Sequence, residues 1–529
     1  MLKHNLQPEV GGAELGGAGR DSTAWWFRGL LLAHLLIWPL VLTLTRPNPP
    51  MDMVEMVFWG HEWRLGYTKH PPLPSWISEA VAAASGRALW AQYLLAHAAV
   101  ALAFWAVWRL GRQMVSPRLA LLAVALLECC PFYSTHCYAL NNNVGLYPCW
   151  ALAVLFLYEA IRTGRTRCWL AVGIWLGLGM LTKYTTVVLA ATMLGFGLAD
   201  PEARRCWRRP GPYLAAAVCG LLFLPHAWWT ALEGFSTIRY AAAHVPGGGR
   251  WIGHVLCPLL FLVVQCGILT GLAAVVLVAT GGRVRLRRAA APEGHDRHRW
   301  PAHGMSATFP RRFLAVMVLG PLVAHLGVSL LGNTSLRPAY GAPLWLWAGL
   351  LAMVSLEVRP EPARWRKTWI AWAVVVTALG GGATIATLAA PYVLHKPSRC
   401  LFPGRQLAAE VDKVWRSHEP GPLPIVAGDY FLAGTVAFFD RDRPRVYQSS
   451  DELINDTGVH DCPWLGDDEF RRRGGVILWG LDADPEGLPP DVLRRFRVSR
   501  LVTLPPLDYL TGADLPPARI GVAIVPPEP

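Results

Sequence analysis

The 529-residue sequence has neither a G-x-x-x-x-G-K-[ST] loop nor a G-x-G-x-x-G loop, so no local motif cradles nucleotide phosphates at a helix N-terminus. None of its eleven cysteines forms a C-x-x-C pair, which removes the usual zinc and dithiol spacings. Charge is scarce, at 16% of residues, against roughly a quarter in soluble domains. No A-x-A-like site follows the first apolar run, so that run reads as a retained span and not a cleaved leader. No internal repeat is visible, which argues against a solenoid or propeller.

What fills the chain instead is apolar, with 53% hydrophobic residues and 25 tryptophans. Runs close to bilayer-crossing length fall at 28–45, 89–108, 118–134, 144–161, 168–182, 184–200, 212–230, 254–280, 313–331, 340–357 and 368–391, about eleven spans in all. Lys183 divides 168–182 from 184–200, leaving two short spans or one bent helix there. Arginines and lysines concentrate in alternate loops: Arg109, Arg112 and Arg118, then Arg162, Arg165 and Arg167, Arg204 to Arg209, Arg283 to Arg312, and Arg359 to Lys367. The opposite loops carry about a third as many, which by the positive-inside rule puts the amino terminus in the cytoplasm and the C-terminal segment outside. The formal charge of +13 is accounted for by these loops, so no nucleic-acid partner is implied.

Residues 1–24 read as a mobile glycine-rich tail and 25–395 as the transmembrane domain. The 281–312 loop, with His295, His298 and His303, has the composition of a disordered basic loop more than of a metal site. From about 396 to 529 the character changes. "PIVAGDYFLAGTVAFFD", "RPRVY" and "GGVILWG" are short runs punctuated by Gly, Pro and Asp, and "GRQLAAEVDKVWRSH" is helical in pattern. This reads as a small outer α/β domain. Cys400 and Cys462 both lie in it and are open to pairing in an oxidising compartment.

Chemistry concentrates in the first outer loop, 46–88. "PPMDMVEMVFWGHEW" places Asp52 and Glu55 three residues apart in a greasy segment, so both project from one helical face. As an interfacial helix it would set Trp59 and Trp63 at headgroup depth. The acids suit a divalent metal, or a base with its orienting partner, or simply a solvated face. Downstream, "GYTKHPPLPSWI" stops any helix, because each proline biases its predecessor towards extended backbone. Lys69 and His70 are thus presented on a stiff segment. A fixed ammonium at the outer surface suits a lipid phosphate, including that of an ordinary headgroup.

An acid soon after the first span followed by a basic-Pro-Pro-Leu turn resembles the membrane-embedded glycosyltransferases that use polyprenyl-phosphate sugars, of the protein O-mannosyltransferase and lipid A aminoarabinose transferase type. The resemblance extends through "NNNVGLYPCWALAVLFLYEAIRTGRTRCWLAVGIWLGLGMLTKYTTVVL", with its Thr-Lys-Tyr turn, and "LPHAWWTALEGFSTIRYA". It implies a mostly α fold of the GT-C type with a small C-terminal α/β domain. It also implies inverting transfer from a polyprenyl-phosphate sugar at the periplasmic face of a bacterial inner membrane, to a lipid, glycan or protein acceptor. By motif, Asp52 matches the first-loop acid, His70-Pro71-Pro72-Leu73 the turn, and Lys183 the lysine of the Thr-Lys turn. Relatives commonly carry a carboxylate just before the turn, where this chain has Lys69, so Glu55 is the candidate second acid. A changed substrate, a lost metal and a non-catalytic member also fit that departure.

Transfer of this kind needs a base for the acceptor hydroxyl and cations for the departing phosphate. Asp52 and Glu55 are the catalytic candidates; Lys69, His70, Lys183 and Arg337 the phosphate-binding ones. Tyr67, His136, Asn142, Tyr184, Tyr240 and His244 are expected to line the cavity. The competing class is a transporter or flippase, which would place ionisable groups mid-span. His34 and His97, inside spans, read as hydrogen-bonded packing residues.

Overall fold

The computed structural model describes residues 22–243, 251–287, 306–358, 361–447, 464–481, 488, 493 and 495–528. His244, the three loop histidines 295, 298 and 303, and Cys462 lie outside the described residues, so the cavity role of His244 and the Cys400–Cys462 pairing do too.

The chain is a multi-pass membrane protein built mostly of helices. They run α1 (Ser22–Thr45), α2 (Met51–His61), α3 (Leu73–Ala84), α4 (Leu89–Gly111), α5 (Pro117–Glu128), α6 (Leu146–Thr163), α7 (Thr166–Met180), α8 (Thr186–Ala199), α9 (Pro201–Arg204) and α10 (Gly211–Leu232). Next come α11 (Ser236–Ala243), α12 (Gly253–Ile268), α13 (Thr270–Thr280), α14 (Phe309–Gly332), α15 (Ala348–Ser355) and α16 (Pro362–Leu394). The outer region adds α17 (Gly404–Arg416), α18 (Tyr430–Phe439) and α19 (Asp467–Arg473).

Every apolar run read as a span contains helix, but the elements are less uniform than the runs. Five helices, α1, α4, α10, α14 and α16, are long and apolar enough to cross alone, and α12 with α13, bent by 53°, makes a sixth. Lys183 sits in a turn between two short, separate helices, α7 and α8. The 118–134 run stops being α-helix at Glu128, because Pro131 opens a 3-10 turn, and 340–357 starts as 3-10 helix over Pro338–Trp347 before α15. Helix α1 begins at Ser22, three residues inside the expected tail.

Small residues let these helices approach closely, as they must where lipid offers no hydrophobic drive between helices. Gly173 and Gly177 of α7 face α10; a Cβ at 173 would lie 2.5 Å from the Ala215 carbonyl oxygen, and one at 177 would lie 2.9 Å from Leu222 Cβ. One polar network is sealed inside the bundle. His34 Nδ1 lies 2.6 Å from Glu128 Oε1, Trp38 Nε1 donates to Glu128 Oε2 at 3.1 Å, and His97 Nδ1 lies 3.0 Å from His34 Nε2. The two histidines are therefore hydrogen-bonded core residues, as their apolar surroundings suggested.

The outer region forms a mixed sheet of β1 (Ile425–Gly428), β2 (Arg445–Val446), β3 (Gly475–Gly480), β4 (Arg500–Thr503) and β5 (Ile520–Val525), ordered β2-β1-β3-β5-β4. β2, β1 and β3 are parallel, while β5 runs antiparallel to both β3 and β4. The run "PIVAGDYFLAGTVAFFD" splits into β1 and α18. The split falls at Gly428, whose φ of +105° and approach to Leu478 (2.0 Å from a hypothetical Cβ to its carbonyl oxygen) admit no side chain. Asp429 then caps α18, accepting from the Leu432 amide at 2.9 Å.

This region sits directly on the first loop. Helix α18 packs against α2, so α2 is not an interfacial helix at the lipid surface: Trp59 is 1% exposed, enclosed by Tyr67 and the C-terminal core, and only Trp63 of the pair stays exposed. Arg445 grips Glu62 through two bonds of 2.7 and 2.8 Å, and Arg443 grips Glu79 at 2.6 and 2.7 Å. Arg445 uses two nitrogens, a fork that fixes orientation as well as contact, whereas Arg443 reaches both oxygens through one nitrogen.

Glu128→Ala orphans two buried groups, at a cost of about 1–3 kcal/mol each. We expect a markedly lower unfolding temperature in detergent, whereas Glu128→Gln, which keeps an acceptor oxygen, loses less; thermal scanning of the purified variants measures both.

Candidate active site

Three segments converge above the helices. The first is the Pro-rich turn. Tyr67 and His70 exchange backbone hydrogen bonds at 3.1 and 3.2 Å, and the Leu73 amide donates to the Leu181 carbonyl at 3.0 Å, which joins this turn to the Lys183 turn. From α10, His226 Nδ1 donates to the Leu65 carbonyl at 2.7 Å, while its Nε2 takes the Tyr184 hydroxyl at 2.7 Å. Thr237 of α11 donates to the Tyr67 carbonyl at 3.1 Å. The prolines stop the helix, and these bonds hold the non-helical turn in place.

The second segment is the asparagine run before α6. Asn141 Oδ1 accepts the amides of Asn143 and Val144, both at 3.0 Å, which leaves its Nδ2 to donate to Asp52 Oδ2 at 2.7 Å. Asn143 Oδ1 accepts from Lys183 Nζ at 2.6 Å. Between them, Asn142 is buried and donates to the Thr182 carbonyl at 2.7 Å. A continuous polar chain thus runs from Asp52 through one asparagine turn to Lys183.

The third segment is the Lys183 turn itself. Its ammonium also lies over the Tyr340 ring, 4.4 Å from the centroid. Desolvation and the neighbouring Arg337 push Lys183 down to about 8, with Asp52 pulling the other way. Arg337 is exposed, and its side chain has no hydrogen-bond or ion-pair partner among the described residues. His70 stands among these cations. Burial, then Lys183, Lys69 and Arg337, hold its imidazole well below its usual range, so it is neutral. That disfavours the phosphate-cation role expected for it.

Lys69 and Glu55 correct the expectation made for them. Lys69 Nζ meets Glu55 Oε1 at 2.6 Å, the Tyr430 hydroxyl donates to the same oxygen, and the ammonium lies 5.7 and 4.8 Å from the Trp59 and Tyr430 ring centroids. The two charges neutralise each other at the joint with α18. Although Asp52 and Glu55 are three residues apart on α2, Asp52 turns to Asn141 and Glu55 to Lys69 and Tyr430. The two carboxylates therefore turn to different neighbours. The single trio of acids close enough to share a metal among the described residues is Asp412, Asp440 and Asp442 in the outer region. Arg416 and Arg441 already bridge Asp412 and Asp442 there.

Of the expected cavity residues, Tyr240 senses Lys69, Glu55 and Arg337 electrostatically, and Tyr184 reaches the site's edge through His226. Tyr67 is 0% exposed, stacked on Trp59 at 5.4 Å, and belongs to the core. Asn142 is buried scaffolding. His136 is exposed, with Thr135 and Arg46 as neighbours. Of the run Asn141 to Asn143, which the sequence offers as partners for sugar hydroxyls, only Asn142 was placed in the cavity set, and Tyr340 and Tyr430 were missed.

The fold matches a known class. A family profile described as dolichyl-phosphate-mannose-protein mannosyltransferase matches residues 69–229. The lipopolysaccharide core galacturonosyltransferases RgtA and RgtB of Rhizobium johnstonii are 25% and 24% identical, covering 85% and 88% of this chain and 85% and 90% of their own. The structure of ArnT from Cupriavidus metallidurans bound to undecaprenyl phosphate superposes with a TM-score of 0.61 at 14% identity, over 95% of this chain and 98% of that one. The chain is a membrane glycosyltransferase with the GT-C fold. Over residues 69–229 its similarity is to the protein O-mannosyltransferase type.

Because the Lys183 charge is present below its pKa and lost above it, amine-selective labelling of the purified protein should half-titrate Lys183 near 8. Arg337→Gln removes a repelling charge and should move that midpoint upward, while Asp52→Asn removes an attracting one and should move it downward.

Proposed function

We propose that the chain is an inverting glycosyltransferase that moves a sugar from a polyprenyl phosphate to a lipopolysaccharide-type glycolipid, at the periplasmic face of a bacterial inner membrane. Its amino terminus lies in the cytoplasm on this reading, from the loop asymmetry. Galacturonic acid is the sugar the Rhizobium relatives suggest, since RgtA, RgtB and the lipid A galacturonosyltransferase RgtD all carry it in their names.

The observation that carries the reading is the Asp52–Asn141/Asn143–Lys183 chain, which keeps a carboxylate and a cation in one cluster without neutralising either. Asp52 takes the proton of the acceptor hydroxyl. The hydroxyl oxygen bonds to the anomeric carbon as the bond from that carbon to the phosphate oxygen breaks. The electron pair leaves with the polyprenyl phosphate, and Lys183 and Arg337 balance its charge. A desolvated cation such as Lys183 is worth more here than in water. Lys69, Glu55 and Tyr430 hold the turn and α18 in position. Any metal assistance would centre on Asp52, the acid without an ion-pair partner among the described residues.

A transporter reading would draw on the buried His34–Glu128–His97 network. Its partners are one another and Trp38, none of them in the outer cluster, so it supplies no path to the site.

Asp52→Asn should cut transfer of radiolabelled sugar in membranes by about 10²–10⁴-fold, with normal insertion and donor binding. Transfer at the wild-type rate would remove Asp52 from the reaction.

A further inference from the structure

Arg46 follows the last residue of α1. Its backbone is satisfied: the amide donates to the Leu42 carbonyl at 2.9 Å and the carbonyl accepts from the Tyr93 hydroxyl at 3.0 Å. Its side chain is not. The guanidinium lies over the Tyr138 ring, 5.2 Å from the centroid, and its one hydrogen bond among the described residues is a long 3.4 Å contact to Thr387 Oγ1. No carboxylate within ion-pair distance of it is found among the described residues. Desolvating a half-buried arginine costs free energy, and contact with an anion commonly offsets that cost.

The neighbours say where such an anion would sit. Tyr138 belongs to the same segment as Asn141, which grips Asp52, and its phenol is raised by burial and by Asp52 and lowered by Arg46. Arg46 and Asp52 therefore flank one tyrosine. His136, two residues before Tyr138, is exposed and has Arg46 as an electrostatic neighbour. Lys183 lies on the Asn143 side of Asp52 and Arg46 on the Tyr138 side. A cation at a helix C-terminus gains something from the helix dipole, but this guanidinium is parked on a ring and not on the terminal carbonyls.

Resting on the reading of Asp52 as base, we propose that Arg46, with Tyr138 and His136 around it, forms an acceptor-side anion subsite. It holds a phosphate or carboxylate group of the acceptor glycolipid and so places a neighbouring hydroxyl on Asp52. The donor phosphate takes the Lys183 and Arg337 flank, the acceptor anion takes the Arg46 flank, and the carboxylate works between them. The planar guanidinium fork matches either oxyanion, and its face is already oriented by Tyr138.

The test uses full-length protein in phosphatidylcholine nanodiscs, where the bilayer supplies no net-anionic lipid. The probes are a rough lipopolysaccharide, the same material dephosphorylated with hydrogen fluoride, and the same material with its carboxyl groups reduced. Binding, measured by calorimetry, needs no turnover. Wild-type protein should lose about tenfold to hundredfold in affinity when the recognised group is removed. Arg46→Gln should bind the intact glycolipid that much more weakly and be indifferent to the removal, with Arg46→Lys intermediate. Which of the two treatments matters tells phosphate from carboxylate. In transfer assays with polyprenyl-phosphate galacturonic acid, Arg46→Gln should raise KM for acceptor and leave KM for donor unchanged.

Equal sensitivity of wild type and Arg46→Gln to both treatments, or no binding of the intact glycolipid by wild type, overturns the subsite. A raised donor KM in Arg46→Gln overturns it too, by assigning the arginine to the donor. Asp52→Asn run alongside keeps the two readings separate. If it still transfers fully, the base assignment fails while the binding comparison stands; if it is inactive and Arg46→Gln binds normally, only the subsite fails.

Discussion

Opposite charges in a poorly hydrated pocket tend to collapse into an ion pair, and a paired carboxylate is a poor base just as a paired ammonium is a poor phosphate ligand. The asparagine turn at 141–143 prevents that collapse. Asn141 offers an amide hydrogen to Asp52 and Asn143 an amide oxygen to Lys183, so each charge has a neutral partner at hydrogen-bonding distance. The turn can do this because Asn141 also accepts two of its own backbone amides and Asn142 is anchored to the Thr182 carbonyl. Everything proposed for the chemistry depends on those two charges staying apart yet close.

The second constraint is the joint between the first loop and the outer sheet. Two arginine–glutamate pairs, Arg445–Glu62 and Arg443–Glu79, clamp α2 and α3 to the C-terminal region. Lys69, Glu55 and Tyr430 close the same joint beside the site. Lys69, just before the Pro-Pro turn, is therefore matched by Glu55 of α2, earlier in the same loop.

Function on both flanks of Asp52 follows from where cations remain uncompensated. Lys69 is neutralised by Glu55 and His70 is kept uncharged by its surroundings. Lys183, Arg337 and Arg46 keep their charge without a carboxylate in contact among the described residues. Lys183 and Arg337 act on each other, and Arg46 sits at Tyr138, in the segment whose Asn141 holds the base, which suits a transfer between two anionic lipids.

Much of this was legible in the residues alone. Long apolar runs, the basic loop alternation and the Pro-Pro stop depend on composition and local sterics, so they announce the membrane bundle and the stiff turn before any contact is known. The α17 helix was legible by its periodicity, and the motif put Asp52 and Lys183 forward as candidates, which the structure joins through one asparagine turn. Tertiary structure alone decided the rest. Glu55 and Asp52 share a helix face on paper, but partners from residues 69, 141 and 430 pull them to different tasks. Tyr67 and Trp59, aromatic and near the membrane, became core because α18 covers them. Asn142 and its two neighbours are the same residue type, and only the direction in which the turn aims each amide separates scaffold from site. Long-range docking and side-chain direction carry no local sequence pattern, and that is why the fold had to supply them.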